Sequence, residues 1–247
     1  MLTKALCAGA LALTLPAQSM VPAKAGLVSY ADEAYVDDRP VEVSPTRFFV
    51  MNENAVLRTG IGRAEVLLGP CSAMWLDEQS SLRLISSGLN DVRLEVLSGS
   101  VVVATGEMVK GTKVTLLLKA SSSALDPKGA YRFDATPPLI KVLTGRTTVQ
   151  WAGRAILIPA GRLLPLDAAV QPVKFDKQNA GALETWSNDR AAYLARLSGQ
   201  LKRESPEPTA PDSTTPRGGP GRSRLPLDTM PQTLPNPPGS GCGVTAW

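Results

Sequence analysis

The 247 residues contain no histidine. That removes the usual general base near neutral pH and the commonest ligand for zinc and copper. Histidine-dependent triads and imidazole metal sites are therefore excluded. Paired carboxylates could still do acid–base work. The acidic side chains, however, fall where a solvated strand face or a turn would place them, as at Glu65, Glu95, Asp126 and Asp134. No catalytic constellation emerges, so the expectation is a protein that is not an enzyme and has no cofactor and no metal site. Aromatics make up only 5% of the chain and the formal net charge is +4, with the cations scattered. Nucleic-acid binding needs a clustered basic patch, and none is present. Beyond the first residues there is no apolar run long enough for a membrane span, which takes about 20 residues.

What the N-terminus does have is an export signal. Lys4 precedes an apolar stretch from Ala5 to Leu15, Pro16 ends it, and Ala23-Lys24-Ala25 offers a small-x-small cleavage site that would release Gly26. A cut after Ser19 is the alternative. Cys7 lies within the apolar stretch rather than at its end, which argues against a lipid anchor. A periplasmic or secreted location follows as the expectation. Removing the signal leaves Cys71 and Cys242. An exported pair could form a disulfide. The competing reading leaves Cys71 in a turn after Gly69-Pro70 and Cys242 free near the chain end.

From Leu27 to Leu166 the chain alternates apolar and polar residues in short runs closed by glycines, most clearly in Val92-Arg93-Leu94-Glu95-Val96. Period-two alternation buries one side of each strand, and many short strands between turn residues indicate an all-β domain. Gly145-Arg146, Ala152-Gly153 and Pro159-Ala160-Gly161 separate the last strands, giving a meander or coil of short strands. The period then changes. Leu183, Trp186, Arg190, Tyr193, Leu194, Leu197 and Leu201 share one stripe of an amphipathic helix over about 177–203, with Asp176 or Asn179 as its cap and Glu184 facing outward. Such a helix would cover a sheet face or edge, with Trp186 and Tyr193 as core anchors. Residues 204–247 hold ten prolines and six glycines, a composition that reads as a disordered tail. The zones are thus a signal at 1–25, a β domain at 26–174, a packed helix at 175–203 and the tail at 204–247.

Val56-Leu57-Arg58-Thr59-Gly60-Ile61-Gly62-Arg63-Ala64-Glu65-Val66 resembles the opening of the FecR domain, the periplasmic domain of iron-transport regulators. Val92 to Val103 is similar to its middle strands, and Ile140 to Val149 with Ile158 to Arg162 to its closing hairpin. The helix bearing Trp186 and Arg190 is similar to the Trp-x-x-x-Arg helix of exported FecR-like proteins from soil bacteria. The resemblance covers about residues 26–197. It implies an all-β FecR-like fold and a non-catalytic module for protein interaction or envelope sensing and signalling, with another envelope protein as partner. Regulators of this family also carry an anti-sigma segment and a membrane helix, neither of which this sequence displays. A second function remains open, that of a cell-wall or carbohydrate-binding module. It would need exposed aromatics, for which Trp75 and Trp151 are the candidates.

Overall fold

The structure is a computed structural model that describes residues 24–44, 47–69, 71–108, 110–166, 171–176 and 180–204. Apart from Lys24 and Ala25, and from Glu204, the signal and tail assigned from the sequence lie outside these residues. Two nine-stranded sheets face one another. One sheet, here the capped sheet, runs in the order β18 (Val173–Lys174), β17 (Arg162–Pro165), β14 (Pro138–Thr144), β13 (Gly129–Ala135), β10 (Ser100–Thr105), β7 (Ser72–Leu76), β6 (Ala64–Gly69), β1 (Leu27–Ala31) and β4 (Phe49–Val50). The open sheet runs β16 (Arg154–Pro159), β15 (Arg146–Trp151), β12 (Ser121–Leu125), β11 (Val114–Leu118), β9 (Val92–Ser98), β8 (Ser81–Ser86), β5 (Val56–Thr59), β2 (Ala34–Val36) and β3 (Arg39–Pro40). All pairings are antiparallel except β9 with β11. Hairpins alternate between the sheets along the chain: β6–β7 in one, β8–β9 in the other, β13–β14 in the first, β15–β16 in the second. The expected coil of short strands is therefore a coil of hairpins.

The core lies between the sheets and follows from the alternation. Val66, Met74, Leu76, Val101, Val103, Tyr131, Phe133, Ile140 and Val142 point inward from the capped sheet, meeting Leu57, Leu82, Leu84, Leu94, Val96, Leu116 and Val149 from the open one. The remaining element, α1 (Ala182–Glu204), lies on the outer face of the capped sheet, against β7 and β10. It starts five residues later than the sequence suggests. Gly181 is its cap residue: Thr185 N–H donates to the Gly181 carbonyl at 3.0 Å, and Gly181 N–H donates to Glu184 Oε2 at 3.4 Å. This is the backward half of a capping box. Of the two expected caps, Asn179 lies outside the described residues.

Four strand assignments differ from the sequence reading. Val41-Glu42-Val43 shows the apolar–polar–apolar alternation of a strand but is irregular chain, although Val41 is buried. β12, Ser-Ser-Ser-Ala-Leu, is missing from the sequence reading because serine favours turns over strands. Its hydroxyls are absorbed locally in part: Ser121 Oγ donates to the Leu118 carbonyl at 2.8 Å. The two-residue strands β3 and β18 carry no alternation that could reveal them.

Candidate interaction surfaces: the helix-capped face and the open edge

On β6, β7 and β10 the residues between the core positions point outward: Glu65, Leu67, Ala73, Trp75, Val102 and Ala104. In an uncovered sheet these would meet water. Here Leu183, Trp186, Ala191 and Leu194 of α1 pack over the apolar ones as a second, smaller cluster. β7 is consequently buried on both faces along its whole length.

The cover is fixed by charge. Glu65 is fully buried. It receives Arg190 Nε at 2.9 Å and Arg190 Nη2 at 2.8 Å in a bidentate pair, Trp75 Nε1 at 2.8 Å and Ser29 Oγ at 2.7 Å. Both carboxylate oxygens are satisfied, as a buried charge requires. Burial works against the charged Arg190 guanidinium, but the hydrogen bonds and charge of Glu65 outweigh it and raise its pKa. Arg190 also lies over the rings of Tyr30 and Tyr193, at 5.0 and 4.9 Å. Trp186 meets Tyr30 at 5.7 Å and takes Arg63 over its ring at 5.4 Å. A second seam holds the start of the helix. Glu184, also buried, accepts Lys141 Nζ at 2.8 Å and Arg132 Nη1 at 3.5 Å, and Arg132 Nε pairs with Asp134 at 2.9 Å.

Several expectations change. Glu65 is not on a solvated face, because α1 covers that face. Glu184 points into the sheet rather than outward, drawn by Lys141 and Arg132. Trp75 is fully buried beneath the helix and offers nothing to a sugar. Trp151 is partly buried against the core. Tyr193 is 42% exposed, so it stacks on Arg190 rather than anchoring a core. Leu197 is also exposed, and the side chain of Leu201 lies outside what is described. Cys71 is buried and disulfide-bonded. The other cysteines, Cys7 and Cys242, both lie outside the described residues.

The side-chain chemistry left over is sparse. Among the described residues no group of three histidine, cysteine, aspartate or glutamate side chains could hold a metal ion. No helix there is long and apolar enough to cross a membrane. A groove of about 290 Å³ runs beside the start of α1, lined by Leu143, Thr144, Phe175, Ala180, Glu184, Thr185 and Asn188. Its carboxylate, Glu184, is already engaged by two cations. A groove of about 230 Å³ opens at the other end of the sandwich, between β3 and β4.

The sheet edges are unequal. Three of the four, β3, β4 and β18, are two residues long, a length that gives little to pair with. The fourth, β16, is six residues long. Its outward backbone groups can be assigned. Ala160 N–H donates to the Gly145 carbonyl at 2.9 Å, which makes Arg146↔Pro159 a non-hydrogen-bonded pair. Alternation then makes Thr147↔Ile158, Val149↔Ile156 and Trp151↔Arg154 the bonded pairs. The N–H and C=O of Ala155 and Leu157 thus point away from β15, and neither residue has another hydrogen bond among the described residues.

No family model matches the chain, and no curated protein matches its sequence. Two crystal structures of a candidate anti-sigma factor from Parabacteroides distasonis are similar in fold. The first, at 2.50 Å resolution, is 11% identical, covers 60% of this chain and 73% of its own, and gives a TM-score of 0.43. The second, at 1.65 Å, is 11% identical, covers 57% and 70%, and gives 0.41.

Proposed function

We propose that the chain is an exported, non-catalytic, FecR-like β module that binds another protein of the cell envelope, in sensing or signalling. The observation that carries this reading is the open β16 edge. Strand addition to a free edge is a recurring mode of protein recognition, and the other three edges are too short for it. The disposition of the charged residues supports the same conclusion. Glu65, Glu184, Arg190, Arg132 and Lys141 are spent on holding α1 to the sheet, and Asp37, which lines the groove between β3 and β4, accepts the Val56 N–H at 2.9 Å. The export signal and the resemblance described above supply the compartment and the module type. The carbohydrate-binding alternative loses its main support with the burial of Trp75.

Photo-crosslinking of the full-length protein in envelope preparations, from probes placed in turn at exposed positions of both sheets and of α1, tests the reading. Discrete protein adducts are expected. Retention by isolated wall polymer without protein adducts would favour the alternative and overturn the proposal.

A further inference from the structure

Resting on that reading, we infer that β16 is the docking edge, and that its occupant is an extended segment carrying an apolar and an acidic side chain two residues apart. The backbone geometry comes first. Ala155 and Leu157 each present outward an N–H and C=O that are unpaired among the described residues, so an added strand would form two hydrogen-bonded pairs with them. The side chains then set the pattern. In β16, Arg154, Ile156 and Ile158 lie on the core side, opposite Trp151, Val149 and Thr147. Ile158 is fully buried, whereas Ile156 and Trp151 are only partly so. A residue of the added strand opposite Ile156 would face the same side and cover both, and it should be apolar.

Two positions along, the added strand meets Arg154. From Pro138 to Leu166 the chain has four cations, Lys141, Arg146, Arg154 and Arg162, and no acidic residue. Lys141 is held by Glu184, Arg146 by Asp126 at 2.8 Å, and Arg162 donates to the Pro172 carbonyl at 3.0 Å. Arg154 is exposed and has no partner among the described residues. A carboxylate opposite it completes the charge balance of this end. Leu157, 57% exposed on the other face, gives the intervening residue an apolar neighbour. A second copy fits less well. Two β16 strands paired antiparallel about Ile156 place Arg154 opposite Ile158 and bring no carboxylate to either arginine.

The test uses the full chain and a capped synthetic peptide of alternating threonine and valine with one glutamate two residues from a central valine. Control peptides carry lysine in place of glutamate, or N-methyl groups on alternate amides. Fluorescence anisotropy should give binding by the glutamate peptide about three- to tenfold tighter than by the lysine one, the worth of one or two exposed ion pairs. Arg154→Glu should reverse that order. Leu157→Pro, which removes an outward N–H, should abolish binding while circular dichroism shows a folded chain. If Leu157→Pro does not fold, loss of binding by the N-methylated peptide carries the same information. Equal binding of the N-methylated peptide, no binding of any peptide, or a dimer in sedimentation that Arg154→Glu dissolves would each overturn the inference. Crosslinking separates this from the broader reading. Protein adducts from Tyr193 but not from Ala155 would overturn the β16 site and leave the module reading standing. Adducts from no position would remove both.

Discussion

At the scale of single residues, the fold depends on a few polar atoms placed where water is absent. Arg190→Ala should be among the most damaging substitutions. It leaves the fully buried Glu65 without its counter-charge, and breaking a buried pair from one side costs about 3–5 kcal/mol. Urea unfolding of the variant measures the loss. Glu65→Gln, which keeps an acceptor for Trp75 and Ser29, should cost less. Tyr131 sets the alkaline limit. Its ring is in the core and its hydroxyl donates to the carbonyls of Asp126 and Arg146 at 3.0 and 2.8 Å. Burial, with the charge of Asp126 adding to it, pushes its pKa up to about 12. The folded state therefore favours the neutral phenol. Its contribution to stability is complete below the unfolded value near pH 10 and is lost as pH rises through about 12. Of the four tyrosines, one should ionise late in an ultraviolet titration. Tyr131→Phe should flatten the fall in melting temperature between those two pH values.

At the scale of elements, hairpin turns and one helix do most of the organising. Gly99 and Gly153 both have positive φ, 72° and 74°, so alanine at either is strained by about 1–2 kcal/mol. They differ in space. A methyl group at Gly99 would run into Ser80, whereas at Gly153 it meets nothing within 4 Å. Gly99→Ala should therefore be clearly the more destabilising of the two in parallel denaturant unfolding. The same contrast explains what could be read in the sequence. Strands with strict alternation, such as β9, and turns marked by glycine were legible because period and turn chemistry are local. β12 was not, since three serines carry no apolar signal and the strand exists because neighbours on both sides pair with it. Glu65 was misread for a related reason. Alternation says which side of β6 it occupies, but only the tertiary position of α1 says that this side is dry. The helix itself is visible from its period, yet the pattern places Glu184 outward because its partners, Lys141 and Arg132, lie about 40 to 50 positions away.

At the scale of the whole molecule, Cys71 is disulfide-bonded, and the other two cysteines lie outside the described residues. If export removes Cys7, Cys242 is the cysteine left to pair with Cys71. We expect peptide mapping of the mature protein without reductant to recover a Cys71–Cys242 peptide. Reductant should lower the melting temperature, with a disulfide of this kind typically worth about 2–4 kcal/mol. Cys242→Ser should reproduce the effect and leave reductant without further influence. An unchanged midpoint in all samples would mean that the tail contributes nothing to stability. The open β16 edge belongs to this scale too, because its availability depends on nothing else in the molecule folding across it.

The pairing of Glu65 with Arg190 has a consequence in time. The two residues are 125 positions apart in the chain, and at ordinary rates of translation about 6–25 s separate their synthesis. Until Arg190 is made, the outer face of β6, β7 and β10 has no helix to cover it. A bare stripe of tryptophan, valine and alanine would invite association with other nascent chains. The carboxylate of Glu65, uncompensated until the arginine is made, is expected to stay hydrated and so to oppose that association.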